Sequence, residues 1–193
     1  MKFIPTRKQW PILGALILLM LLTRYHHLWS ALNLPDASMA VFFAAGFYLA
    51  GSAALPLLML EAGLIDYVAI TQAGVSDFCV TPAYSVLILA YAVLWYAGGA
   101  YAKHYRPALS TLAPLVVAAL GGCLLSFVLS NGAFYWIGGR YPDPNFSEFV
   151  QRFMQYAPSF IAVAMAWIAV LAVMHGVWVR AFHSSESRTS ASR

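Results

Sequence analysis

Residues 110–129 read STLAPLVVAALGGCLLSFVL, twenty positions without one charged side chain. A helix of about twenty apolar residues matches the thickness of a bilayer's hydrocarbon core, and few other folds use such a segment. The run is not isolated. Apolar stretches at 10–28, 84–101 and 157–179 have the same character. Across 193 residues only 9% are charged and 62% are hydrophobic, whereas a water-soluble domain carries roughly 25% charged residues. These values predict an all-α polytopic membrane protein in contact with a lipid bilayer.

The segment 37–75 admits two readings, one long helix or two shorter ones. Two are preferred. DASMAVFFAAGFYLA makes one helix, with Asp36 or Ser38 near its start, and GSAA makes a turn. Pro56 then opens the next helix, where its missing N–H has no intrahelical acceptor to lose. The expected spans are 10–28, 37–51, 56–74, 84–101, 109–129 and 157–179. They form a single transmembrane domain over 1–183, followed by a polar tail at 184–193. The basic start MKFIPTRKQW resembles a signal peptide, but RYHHLW follows the apolar run in place of a small-residue cleavage site. The run is therefore read as a retained first helix.

Charge asymmetry supports six spans. With both termini cytoplasmic, Lys2, Arg7, Lys8, Lys103, Arg106, Arg180, Arg188 and Arg193 lie inside, and Arg24, Arg140 and Arg152 lie outside. Five spans would leave more basic residues outside than inside, against the positive-inside rule. The net charge of +4 is thus read as orienting charge and not as a nucleic-acid footprint. No P-loop, dinucleotide glycine motif or zinc-type cysteine spacing occurs, which excludes a nucleotide-driven pump on this chain alone.

This topology gathers polar variety on the outer face, in segments 23–36, 74–83 and 130–156. The last is long for a connection. Within it Phe146, Phe149, Val150 and Phe153 follow helical spacing, with Asn145 and Glu148 placed as a capping box. A short amphipathic helix is expected there, either lying on the membrane surface or serving as a lid. Asp66 falls about 15 Å past Pro56 at helical rise. That places an acid at mid-membrane depth, a default functional candidate. Glu61 is nearer the cytoplasmic turn and is expected to reach water there. Gly46, Ala50 and Ala54, Ala118 and Gly122, and Ala162 and Ala166 recur every four residues. Such spacing lets helices approach closely in lipid, and packing within the chain is preferred over docking of a partner.

The chain has two cysteines. Cys123 lies inside an apolar run and reads as a small buried side chain. Cys79 sits in SDFCVTPAYS, a polar break before Pro82. The reading of Cys79 stays open between an inert loop thiol and a soft axial ligand to a metal already held in a macrocycle, haem or corrin. A lone cysteine does not hold bare zinc.

Two stretches, HHLWSALNLPDASMAVFFAAGFYL and EAGLIDYVAITQAGVSDFCVTPAYS, resemble the BtuM family of membrane proteins. These are solitary substrate-binding subunits (S-components) of the energy-coupling-factor type, linked to vitamin B12. The HH pair, the LPDAS segment and the loop cysteine are the most specific parts. The resemblance implies a six-helix S-component bundle in the bacterial inner membrane that binds cobalamin from the periplasmic side. It implies that Cys79 is the axial ligand of the corrin cobalt, displacing the vitamin's own base. His27, with His26 beside it, then lies near the ring, or else the pair caps the first helix. Asp66, Tyr84 and Arg152 are candidates for the amide side chains or the phosphate. Phe134, Tyr135, Trp136, Phe149 and Phe153 are candidates to pack on the corrin. A thiolate on one cobalt face is expected to weaken the opposite bond and so promote loss of cyanide from cyanocobalamin. S-components often carry an Ala-xxx-Ala pair in the first helix for docking on a shared energising module. PILGALILLMLLT has none, so the chain acts alone or docks through another face such as Gly46, Ala50 and Ala54. A haem- or quinone-linked redox protein using His26, His27 and Cys79 is the competing reading. Of the histidines only His175 lies deep in a span, and no cysteine pair is present for dithiol chemistry.

Overall fold

The structure, a computed structural model, describes residues 4–24 and 34–191, without the side chains of Cys79 and residues 182–191. Six α-helices form an all-α bundle: α1 (Trp10–Arg24), α2 (Ser38–Leu49), α3 (Ala54–Ala73), α4 (Leu87–His104), α5 (Leu112–Ile137) and α6 (Phe146–Ala191). Four helical segments are long and apolar enough to cross a membrane. They are α3, α4 with the 3-10 turn before it, α5 with the 3-10 turn before it, and α6. The other two helices are apolar but shorter, 15 residues in α1 and 12 in α2. Leucines and valines such as Leu60, Leu64, Leu89, Val117 and Val173 point outward. Lipid solvates such a surface and water does not.

The helix α2 is the hub. Val41, Phe42, Ala45 and Leu49 on it are fully buried, so it presents no polar face. It packs most extensively on α4, and α4 in turn on α5. Two glycines make the first seam. A Cβ on Gly46 would land on the Trp95 carbonyl oxygen, and one on Gly98 would land on the Phe43 carbonyl oxygen. A side chain at either position would force the two backbones apart. On α5, a Cβ on Gly122 would stand 2.9 Å from the Ala97 Cβ. The small-residue spacing at Gly46 and Gly122 therefore serves packing within the chain. Gly46 is occupied by α4 and is not free for a partner, which corrects the docking alternative. Ala162 and Ala166 face outward on α6.

The turn between α2 and α3 forms as the sequence suggests. Gly51 takes a left-handed φ of 86°. The Ser52 hydroxyl donates to the Leu49 carbonyl at 2.8 Å and accepts from the Ala54 N–H at 3.3 Å. At the far end of α3, Gly74 is left-handed and its N–H bonds to the Ala69 carbonyl. This is the αL cap that glycine alone supplies without strain.

Residues 130–156 differ from expectation. They form no long loop. The helix α5 continues to Ile137, and α6 begins at Phe146, leaving 138–145 as the connection. Nor is there a separate surface helix, because α6 runs unbroken through Pro158. Proline removes one ladder bond, but leaving the helix there would unpair several more backbone groups in an apolar medium. Half of the capping box forms, since the Asn145 backbone N–H goes to the Tyr135 hydroxyl and not to Glu148. The Glu148 N–H donates to Asn145 Oδ1 at 2.9 Å, and the Asn145 amide reaches Glu148 Oε2 at 3.5 Å.

Candidate functional site

One end of the bundle holds a cavity of about 840 Å³, walled by α3 to α6, the start of α2 and the turn after α3. This is large for a small-molecule site, for which roughly 300–1,000 Å³ is the usual range. Its polar character comes from a cluster that the sequence scatters over 68 positions. Arg24, the last residue of α1, grips Asp66 with both arms. Nε donates to Oδ1 at 2.7 Å and an Nη to Oδ2 at 2.6 Å. The other Nη donates to the Ser38 hydroxyl at 2.9 Å and the Tyr91 hydroxyl at 2.7 Å. Tyr84 donates to Asp66 Oδ2 at 2.6 Å. Asp36 stands 3.8 Å from the guanidinium and accepts from the Ser38 N–H and hydroxyl at 2.9 and 2.6 Å.

Burial explains why the groups are paired. The Arg24 side chain is 10% exposed and Asp66 25%, and charges so withdrawn from solvent persist only with partners. Tyr91 is fixed from below by stacking on Phe42, with centroids 4.1 Å apart. The segment 35–37 is tied down twice more. The Trp167 indole donates to the Pro35 carbonyl at 3.0 Å, and the Ala37 N–H donates to the Thr23 hydroxyl at 3.1 Å.

The cysteine-bearing turn forms part of the wall through Ser76 and Val80. Residues Asp77–Cys79 make one 3-10 turn, with the Ser76 hydroxyl accepting from the Phe78 N–H at 3.2 Å. Pro82 starts a second, Pro82–Val86. Arg140, from the connection between α5 and α6, clamps the turn. It donates to the Phe78 and Asp77 carbonyls at 3.0 and 3.5 Å, and its guanidinium lies 4.9 Å above the Phe78 ring. The turn is thus held by two elements, not only by the proline that follows it.

Of the six site residues expected from sequence, Asp66, Tyr84 and Arg152 line this one cavity. Cys79 contributes its backbone turn, and its thiol lies outside the described atoms. His26 and His27 lie outside the described residues. The Tyr84 hydroxyl proton is spent on Asp66, and both Asp66 oxygens already accept from Arg24, so neither residue offers a free donor. The unspent groups are elsewhere. Asn131 on α5 lines the cavity, and its Oδ1 is buried with no hydrogen-bond partner. Arg152 packs its guanidinium 4.7 Å from the Tyr141 ring and 5.4 Å from the Tyr156 ring.

The aromatic expectation needs correcting. Phe134 lines the cavity, together with Phe127, Tyr156 and Phe160. Tyr135, Trp136, Phe149 and Phe153 do not. They stack on one another where α5 meets α6. The buried Tyr135 hydroxyl accepts from the Asn145 N–H at 2.9 Å and so anchors the start of α6.

The cavity residues not singled out from sequence are Arg24 and Tyr91, while Asn131 belongs to the outer polar segment 130–156. Arg24 reads as one more orienting charge. Tyr91 and Asn131 are single polar atoms within or beside apolar runs. The only available signal was the unpaired acid Asp66, which demanded a cation at the same depth.

Among the described residues no group of three or more His, Cys, Asp or Glu stands ready to hold a metal ion. A bare ion finds no cage here. No family model matches the chain, and no curated protein is significantly similar to it. What fold and cavity define is a membrane-type helical bundle compatible with a transport or binding protein.

Proposed function

We propose that this chain binds cobalamin at the larger cavity and takes part in its uptake across the bacterial inner membrane. In this reading it is a six-span, BtuM-type S-component with both termini cytoplasmic and the cavity facing the periplasm. The observation that carries the proposal is the wall itself. A cavity of about 840 Å³ is bordered on one side by the Cys79 turn and on the others by Asn131 and Arg152. A corrinoid has a broad apolar ring edge, a fringe of amides and one phosphate. The apolar walls suit the ring, the unpartnered Asn131 oxygen suits an amide N–H, and the forked donors of Arg152 suit the phosphate. The Arg24–Asp66 pair borders that end of the cavity with its charges committed to each other.

The thiolate of Cys79 supplies the axial bond to cobalt in place of the vitamin's base. Its electron donation weakens the bond on the opposite face, so the cyanide of cyanocobalamin leaves as an anion with its bonding pair. A shared energising module remains a candidate partner, though not through Gly46.

An absorbance time course tests this. Wild type mixed with cyanocobalamin is expected to lose the cyano-form bands and gain those of a thiolate-bound corrinoid, and Cys79→Ala to leave the cyano spectrum unchanged. Identical spectra with the two proteins would remove the sulfur from the chemistry. Failure of wild type both to retain any corrinoid and to restore growth of a B12-dependent strain lacking its importer would end the transport reading.

A further inference from the structure

A second cavity, of about 360 Å³, lies at the other end of the bundle. The two ends are distinguished by the helices themselves. The larger cavity meets Asp36, just before α2, and Met39 on it, and the smaller one meets Phe47 and Tyr48. Along α6 the order runs from Arg152 at the first cavity to His175 and Arg180 at the second.

Three features define what this second space would hold. The first is an unsatisfied imidazole. His175 lines the cavity, and its Nδ1 is 2.8 Å from the Tyr48 hydroxyl, while its Nε2 is buried with no partner. A buried polar atom left unpaired is costly and invites a ligand atom. The second is a cationic rim. Arg106 and Arg180 line the cavity, both are exposed, and among the described residues no carboxylate lies in the walls. The third is an apolar flank where Leu112 and Leu115 of α5 face Leu171 of α6. The Thr111 hydroxyl does not compete for a ligand, since it is committed to the Arg106 and Ala108 carbonyls at 3.0 and 2.8 Å.

We propose that this cavity is a binding site for the headgroup of an anionic phospholipid. The phosphate sits between Arg106 and Arg180, a glycerol or ester oxygen meets His175 Nε2, and the chains lie along the α5–α6 flank toward the bilayer. A small soluble anion would satisfy the arginines and leave the apolar flank bare. A zwitterionic lipid would satisfy the flank and leave the two guanidiniums without net countercharge. An anionic phospholipid answers all three features, and basic pockets between membrane helices are a recognised setting for such headgroups. A glycerol headgroup carries both hydroxyl donors and oxygen acceptors, so it serves either tautomer of His175. The site is independent of whatever the larger cavity binds.

Native mass spectrometry of the purified full chain, titrated with phosphatidylglycerol or phosphatidylcholine of matched chains, tests this. Wild type is expected to retain phosphatidylglycerol about tenfold better. Arg106→Gln with Arg180→Gln, both at exposed positions, should erase that preference. His175→Phe keeps the charge and should still lower phosphatidylglycerol retention about threefold. Added inorganic phosphate should not displace the lipid. Equal retention of the two lipids by wild type, an unchanged preference in the double variant, or displacement by phosphate would each overturn the proposal. Thermal unfolding with and without phosphatidylglycerol supplies a second readout, with stabilisation expected in wild type and absent in the double variant.

Discussion

Replacing Arg24 with methionine should be among the most damaging single changes in the chain. The side chain makes four donor contacts between 2.6 and 2.9 Å, two to Asp66, one to Ser38 and one to Tyr91. Methionine fills similar space but leaves the Asp66 carboxylate with only the Tyr84 hydroxyl at 2.6 Å. Breaking a buried pair by removing one partner costs about 3–5 kcal/mol. Asp66 keeps some solvent contact at 25% exposure, which places the expected loss near the lower bound, about 3 kcal/mol. Asp66→Leu should cost a similar amount, because Arg24 would keep only the longer 3.8 Å contact to Asp36 among its charge partners. The double variant strands neither charge. It should cost about 2 kcal/mol, for the hydrogen bonds lost by Tyr84, Tyr91 and Ser38. The shortfall from additivity is therefore about 4 kcal/mol, well within reach of a double-mutant cycle. The measurement is unfolding free energy from SDS titration in mixed micelles, followed by far-ultraviolet circular dichroism. A single-variant loss below about 1 kcal/mol, or strict additivity, would refute the view that this ion pair is desolvated and mutually dependent.

Two further outcomes follow from named contacts. Gly46→Val should destabilise the bundle by roughly 3 kcal/mol or abolish folding, since its Cβ meets the Trp95 carbonyl. Gly63→Ala, with nothing within 4 Å of its Cβ, should be neutral or stabilising by about 0.5–1 kcal/mol; equal effects in the same unfolding assay would show that the α2–α4 seam is not tight. Arg140→Gln should free the Asp77 and Phe78 carbonyls and raise the rate of maleimide labelling at Cys79 about fivefold, on the order of 1 kcal/mol of lost restraint. Because Cys123 is buried, labelling reports on Cys79, and an unchanged rate would deny Arg140 its positioning role.

The helices were readable because apolar run length and turn residues are local properties. The GSAA turn and the Asn145 cap of α6 each act within a few residues, so the sequence displays them directly. The long-range partners were not readable. Arg24 and Asp66 are 42 positions apart, and nothing in either neighbourhood announces the other. Depth alone gave half of that pair, since an acid inside an apolar helix demands a cation somewhere. The aromatic surplus at 134–153 misled for a related reason. Composition shows that rings are present but not whether they face a ligand or each other. Four of the five chosen rings turned out to hold α5 against α6. The break expected between the amphipathic helix and the span at 157–179 is absent, because in an apolar medium backbone groups freed there would find no other partners.

The same physics explains why the two cavities exist at all. Glycines at 46 and 98 draw α2 against α4 until backbone meets backbone, and that seam fixes the middle of the bundle. Packing this close cannot be kept along whole helices carrying side chains as large as Tyr91 above it and Tyr101 below it. The helices therefore leave space at either end, and the chemistry of each end follows from what lines it. At one end Arg24 is committed to Asp66, Ser38 and Tyr91, with Asp36 beside it as a second carboxylate, and in the proposed reading recognition falls to Asn131, Arg152 and the cysteine turn. At the other, Arg106 and Arg180 have no acid among the described cavity walls and His175 has one idle nitrogen. The first end keeps most of its charge committed within the protein. The second demands an anion, and a bundle with so apolar an exterior meets its most abundant anions in the lipid around it.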